Sequence, residues 1–196
     1  MKIINELIYR NHRKGGDSLK LVCNVGGMFS GKTTELLRQG RRHVLAGHNV
    51  VYLKPKFDDR YAENEVVTHL GDSVQAINVT DTLLCDEVLA SDVILVDEAQ
   101  FLPYCLITDF RLLLMKGKTI YVSALDMDAK GNGYLLVEGL MSLADYVNKF
   151  KAVCECCGSD ATYTGKRVKN DVRDELGSKD LYIPLCRKCY YKTNLW

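Results

Sequence analysis

The sequence predicts an α/β fold: a parallel sheet with helices packed on it, then a small cysteine-bearing unit at the C-terminus. Three observations predict it. Short apolar runs alternate with segments of helical periodicity between Leu19 and Leu143, the pattern of strand–helix–strand crossovers. A glycine-rich loop, Gly26 to Thr33, falls between the first such strand and the first such helix. Five of the eight cysteines lie in the last 43 residues (154–196), and the composition changes near Val153.

The elements follow in order. Residues 1–17 are polar, basic and contain Gly15-Gly16, so they read as a loose tail. Leu19 to Val25 is β-rich and stops at Gly26-Gly27, a strand running into a tight loop. From Thr33 to about Ala46, Leu36, Leu37, Val44 and Leu45 fall at helical spacing, with Arg38, Arg41 and Arg42 on a solvated side and Gly47 as the stop. Val50 to Leu53 is a second strand ended by Pro55, and 55–65 is an aperiodic loop. Val74 to Val79 reads as a weak strand, Leu83 to Ala90 as a short helix, and Val93 to Val96 as a buried strand entering Asp97-Glu98. Pro103 to Met115 reads as a helix with Pro103 in its first turn. Thr119 to Leu125 is another buried strand, 126–133 a glycine-bearing loop, and Tyr134 to Leu143 a helix. These spans predict three segments: a tail over 1–17, a core over 18–152 and a C-terminal unit over 153–196.

Composition bounds what the chain does. At 196 residues, 47% hydrophobic and 26% charged, it buries a core without covalent staples and is neither low-complexity nor disordered. No window approaches the ~18 apolar residues of a membrane helix. The opening stretch lacks the apolar run of a secretory signal. Both point to a cytoplasmic protein without a membrane partner. Lys plus Arg total 26 against 25 for Asp plus Glu, a net charge of +1. A protein that grips nucleic-acid backbone carries a larger positive excess, so nucleic acid is not an expected partner.

Gly26-Gly27-Met28-Phe29-Ser30-Gly31-Lys32-Thr33 fits G-x-x-x-x-G-K-[ST]. Glycines let backbone N–H groups turn inward around an anion, and the following helix offers its N-terminus to phosphate. Lys32 adds a point charge near the terminal phosphates, and the Thr33 hydroxyl is a ligand for Mg²⁺. Val93-Ile94-Leu95-Val96 then ends in Asp97-Glu98. An apolar strand ending in a carboxylate delivers a second Mg²⁺-holding group, here Asp97. Glu98 beside it suits a general base toward an attacking hydroxyl. The bland alternative is an acidic pair favoured by a helix dipole.

Without a secretion signal, clustered cysteines read as metal ligands rather than disulfides. Cys154 and Cys157 form one C-x-x-C, Cys186 and Cys189 another, with 28 residues (158–185) between them. Four thiolates make a closed tetrahedral Zn²⁺ site of structural type. The gap exceeds the usual ~15–20 residues, so a long loop leaves and returns between the knuckles. Cys156 is surplus and is an alternative to Cys157. His12, His43, His48 and His69 show no metal spacing and read as surface or packing residues. Tyr190, Tyr191 and Trp196 read as packing in the C-terminal unit.

Taken together, these motifs resemble the type II thymidine kinases over about Leu19 to Tyr191. The resemblance rests on Gly27 through Leu36 with the Met28-Phe29 pair; on Lys54 and Asp58-Asp59-Arg60-Tyr61; on Asp97-Glu98-Ala99-Gln100-Phe101; on Ala124-Leu125-Asp126; and on Ala152-Val153-Cys154 with Cys186-Arg187 and Cys189-Tyr190. The resemblance implies a RecA-like core joined to a zinc-bearing lasso, and an enzyme that moves the γ-phosphoryl group of ATP to the thymidine 5′-hydroxyl. It implies Glu98 as base, Lys32 and Arg60 as stabilisers of the moving phosphoryl group, and Thr33 and Asp97 as Mg²⁺ ligands. It places Met28, Phe101 and Leu125 around the thymine. The lasso would be Arg173, Asp174, Glu175, Leu176 and Gly177, with Tyr182 nearby. It also implies a homotetramer and feedback inhibition by thymidine triphosphate.

Three positions depart from the family pattern, two of them in the pocket wall. Ala129 stands where a pocket-wall Phe is usual, and Tyr134 stands where a second Phe is usual. Both bear on the width of the pocket and leave deoxyuridine as a second substrate. The Gly177-Ser178 step replaces a Gly-Gly. Two rival readings remain. A P-loop ATPase acting on DNA accounts for the loop and the cysteines but not for the near-neutral charge, the short chain or Met28-Phe29. A nucleotide sensor or scaffold leaves Glu98 idle.

Overall fold

A computed structural model describes residues 19–56, 65–67, 73–167 and 181–193. Six strands form one parallel sheet: β1 (Leu21–Val25), β2 (Val50–Pro55), β5 (Ile77–Val79), β6 (Val93–Val96), β7 (Thr119–Ala124) and β8 (Tyr146–Lys149). Their order is β5-β2-β6-β7-β1-β8. The fold is therefore α/β, as the sequence pattern predicts, and β7 separates the strand of the glycine-rich loop from the strand that ends in the carboxylates.

The sheet buries both faces, as parallel sheets do, and side-chain alternation sorts the residues. Val22 of β1, Val93 and Leu95 of β6 and Tyr121 of β7 pack under Leu36 of helix α1 (Lys32–Leu45). Leu21, Cys23 and Val25 of β1, with Ile94, Val96, Ile120 and Val122, face the other way. There they meet Phe110 and Leu113 of α3 (Ile107–Met115) and Leu136, Val137 and Leu140 of α4 (Leu135–Leu143). The short helix α2 (Asp86–Ala90) adds Val88. At ~25 cal/mol per Å² of apolar surface, each such side chain contributes about 1.5–3 kcal/mol of burial.

Several expectations shift. The segment Val74 to Val79 is two strands. β4 (Ser73–Gln75) pairs antiparallel with β3 (Glu65–Val67), whereas β5 pairs parallel with β2. Pro55 does not end the second strand ahead of itself. It is the last residue of β2, where only its carbonyl is needed. Pro103 precedes a 3₁₀ turn, Tyr104–Leu106, and α3 starts after it. Val44 and Leu45 are exposed, and the buried stripe of α1 runs Leu36, Leu37, Gly40 and His43 instead. His43 is a packing residue between His48 Nδ1 and the Tyr121 hydroxyl, both at 3.1 Å. β8 was not predicted, because a four-residue exposed edge strand has no apolar run.

The C-terminal unit holds β9 (Ala152–Val153), β10 (Asp160–Ala161), β11 (Tyr163–Lys166), β12 (Tyr182–Leu185) and α5 (Arg187–Thr193). β9 pairs with β10 and β11 with β12, both antiparallel. A second core of Ala152, Cys154, Ala161, Leu185, Cys186 and Tyr190 lies there. Tyr190 stacks on Tyr163 at 4.4 Å between ring centroids, and Tyr191, though exposed, meets Tyr190 edge-on at 5.6 Å. Residues 1–17 and Trp196 lie outside the described residues.

Candidate active site

Ligands of open α/β sheets bind beyond the carboxyl ends of the strands, and there the structure gathers the loop after β1, the carboxylates after β6 and Leu125 after β7. The loop leaves β1 at Gly26, where φ is +143° and a Cβ would lie 2.4 Å from the Phe150 carbonyl oxygen. No side chain fits that approach. Gly31 sits at the N-cap of α1 in a left-handed conformation, and Phe29 adopts φ +63°. Between them the loop folds on itself. Lys32 Nζ and the Ser30 hydroxyl both donate to the Gly27 carbonyl at 2.8 Å. Lys32 is 8% exposed, so its charge is held inside the loop.

The loop is also held from the C-terminal unit. The Met28 N–H donates to the Thr164 hydroxyl of β11 at 3.0 Å, and Phe29 packs against the second core. Nothing local in the sequence announces Thr164, which lies 136 positions from its partner.

The carboxylates come from a sharp chain reversal. β6 stops at Val96, the Asp97 N–H donates to the Leu53 carbonyl at 2.9 Å, and Glu98 takes φ +50°, ψ +39°. The left-handed region costs a non-glycine residue ~1–2 kcal/mol, and such strain gathers at functional positions. A 3₁₀ turn, Ala99–Phe101, follows. The Thr33 hydroxyl lies 3.1 and 3.3 Å from the two Asp97 carboxylate oxygens. Burial, and then the charge of Glu98, push the Asp97 carboxyl up to about 7, against hydrogen bonds from Ser123, the Glu98 N–H and Thr33. A divalent cation removes that penalty, and hydroxyl and carboxylate oxygens are the ligands Mg²⁺ takes. The residues fit such an ion.

Gln100 joins the rest. Its side-chain NH₂ donates to Glu98 Oε2, and its carbonyl oxygen accepts from the Leu125 N–H at 3.0 Å. Leu125 is partly buried, and Phe101 follows Gln100 at the end of the 3₁₀ turn. Ala129 gives its carbonyl to the Tyr190 hydroxyl at 2.8 Å. Tyr134 is 7% exposed and belongs to the main core at the start of α4. Tyr182 is buried on β12 opposite Lys166, whose Nζ lies 5.9 Å from its ring. Arg60 and the stretch from Arg173 through Asp174, Glu175 and Leu176 to Gly177 lie outside the described residues.

The sulfur atoms of Cys154, Cys157, Cys186 and Cys189 all fall within 4.8 Å of one another. A tetrahedron with metal–sulfur bonds near 2.3 Å has edges of about 3.8 Å; Cys157 and Cys186 stand 3.6 Å apart. Hydrogen bonds, first from Ser159, hold the Cys157 thiol down to about 6. Burial raises Cys154, but backbone N–H groups of Cys186, Cys156 and Cys157 outweigh it and lower that thiol. Hydrogen bonding to Cys186 raises Cys189. Thiols sharing protons in this way form a group able to hold a metal. Cys156 and Cys157 are both exposed, but only the Cys157 sulfur lies within the group.

A family model described as thymidine kinase matches residues 18–190. A thymidine kinase of Bacteroides thetaiotaomicron is 38% identical over 190 residues, covering 95% of this chain and 92% of that protein. One from Porphyromonas gingivalis is 39% identical over 195 residues, with the same two coverages. One from Pseudothermotoga lettingae is 40% identical over 177 residues, covering 89% and 96%. Among solved structures, a replication initiator DnaA bound to AMPPCP and single-stranded DNA aligns over 76% of this chain and 46% of its own, at TM-score 0.44 and 14% identity. That likeness is too slight to carry an argument.

Proposed function

This chain belongs to the thymidine kinase family, and from that membership we propose that it transfers the γ-phosphoryl group of ATP to the 5′-hydroxyl of thymidine, giving thymidine monophosphate and ADP. The observation that carries the chemistry is the meeting of Lys32 and Thr33 of the phosphate loop with Asp97 and Glu98 at the end of β6, joined by the Thr33–Asp97 contact.

The residues divide the work. The loop N–H groups and the N-terminus of α1 bind the phosphates, and Lys32 exchanges its internal carbonyl contact for phosphate oxygens. Thr33 and Asp97 hold Mg²⁺, which neutralises charge on the bound phosphates. Glu98 accepts the proton of the 5′-hydroxyl as the oxygen attacks phosphorus. Arg60 adds charge stabilisation on the moving phosphoryl group. Met28, Phe101 and Leu125 flank the thymine, and the loop from Arg173 to Gly177, with Tyr182 nearby, reads its polar edge. Cys154, Cys157, Cys186 and Cys189 would hold a Zn²⁺ that would pin the two ends of that loop. With Ala129 in place of an aromatic wall, deoxyuridine is a second substrate. The reading extends to a core over 18–152 joined to a metal-held unit over 153–196, a cytoplasmic homotetramer and inhibition by thymidine triphosphate.

The test is ADP release from Mg-ATP with thymidine, with deoxyuridine, with deoxycytidine and with no acceptor. Turnover that needs thymidine supports the reading. Turnover indifferent to any nucleoside, or stimulated by DNA, overturns it.

A further inference from the structure

We propose that Gln100 is the positioning residue of the catalytic base: it orients the Glu98 carboxylate and ties it to the backbone of Leu125, so base and nucleoside-pocket wall form one hydrogen-bonded unit. The proposal rests on the assignment of Glu98 as base made above.

The geometry admits one orientation of the amide. A carboxylate only accepts and a backbone N–H only donates. The NH₂ must therefore face Glu98 Oε2, and the carbonyl oxygen must face the Leu125 N–H, as the structure has it. Gln100 is 6% exposed, so neither half exchanges freely with water, and leaving either partner unmet is unfavourable.

The need for such a tether comes from Glu98 itself. The residue sits in a strained left-handed conformation at a chain reversal, and its side chain has three rotatable bonds. A base is useful only within hydrogen-bond reach of the proton it takes, and small misplacements cost large factors in rate. A carboxylate has about four lone-pair sites, so accepting the Gln100 amide is compatible with accepting a substrate hydroxyl as well. The other end of Gln100 bridges 25 positions to the end of β7, between the phosphate-loop strand and the carboxylate strand. The base is thereby registered to the sheet rather than to its own turn.

The experiment is a double-mutant cycle on the full chain with Gln100→Met, Glu98→Gln and the pair. It is read by single-turnover phosphorylation of thymidine, KM for thymidine and ATP, and thermal unfolding. Gln100→Met keeps the length and removes both hydrogen bonds. It is expected to lower kcat ~10–100-fold, the size of outer-shell losses, with both KM values within about threefold. In the Glu98→Gln background the same change is expected to cost less than about twofold, because a residue that acts through Glu98 has nothing left to act on. An unchanged kcat, or an equal loss in both backgrounds, overturns the proposal. Should Gln100→Met not fold, Gln100→Asn replaces it: the amide chemistry stays, but one methylene less cannot span both partners, and the same cycle applies. Wild-type activity that survives Glu98→Gln refutes the base assignment. Collapse of Glu98→Gln beside a normal Gln100→Met refutes the role of Gln100 alone.

Discussion

At the scale of single residues, Asp97 carries the clearest prediction about pH. Its carboxyl is raised to about 7 by burial and the neighbouring Glu98 charge, against ~3.9 in an unfolded chain. Between those values the folded chain holds a proton that the unfolded chain has lost. Stability of the metal-free protein therefore falls as pH rises from about 4 to about 7, and is flat in this term above that. Melting temperature against pH in chelator measures it, and Asp97→Asn is expected to flatten the slope. Lys32-Thr33 and Asp97-Glu98 stand out in the sequence because each is an adjacent pair in a marked context, one after a glycine-rich loop and one at the end of an apolar strand. Gln100 was visible only as a letter of a motif. Its role depends on Leu125, whose backbone reaches it from another strand.

At the scale of elements, the turn from β1 into α1 is a tight joint closed against backbone. Gly26 approaches the Phe150 carbonyl at the end of β8, so Gly26→Ala meets backbone rather than a movable side chain. A destabilisation of ~1–3 kcal/mol from overpacking, plus displacement of the phosphate loop, is expected. Urea unfolding and the KM for ATP report the two effects. Thr164→Val removes the acceptor of the Met28 N–H. It is expected to cost ~1–3 kcal/mol and to weaken ATP binding, measured by calorimetry. The strands β6 and β7 were legible because all of their residues are buried and apolar runs mark them. β8, β3 and the short strands of the C-terminal unit were not: each is held by pairing, with β1 far off in sequence for β8 and with a neighbouring strand for β3, β9 and β10, rather than by an apolar pattern of its own. Pro103 misled for a related reason, since the fixed φ of proline suits the start of a 3₁₀ turn as well as that of an α-helix.

At the scale of the molecule, the cysteine unit and the phosphate loop are one mechanical system. Phe29 packs on the second core, Thr164 holds Met28, and Tyr190 holds Ala129. Removing the metal with a strong chelator is expected to abolish phosphorylation and to bring four further thiols into reaction with a thiol reagent. Cys105 and Cys156, exposed already, react beforehand. Cys23, buried and pushed up to about 12, stays inert throughout. Loss of the thiols' protection without loss of activity would separate the two units.

If Glu98 is the base of phosphoryl transfer to a nucleoside hydroxyl, the identity of the labelled product shows it. Mg-ATP labelled at the γ-phosphate is incubated with thymidine and either wild-type protein or Glu98→Gln, and labelled thymidine monophosphate is quantified. Rapid formation by the wild type and a loss of ~10²–10⁴-fold in the variant, with ATP still bound, are expected. Labelled inorganic phosphate in place of the nucleotide, or a variant as active as the wild type, would contradict it.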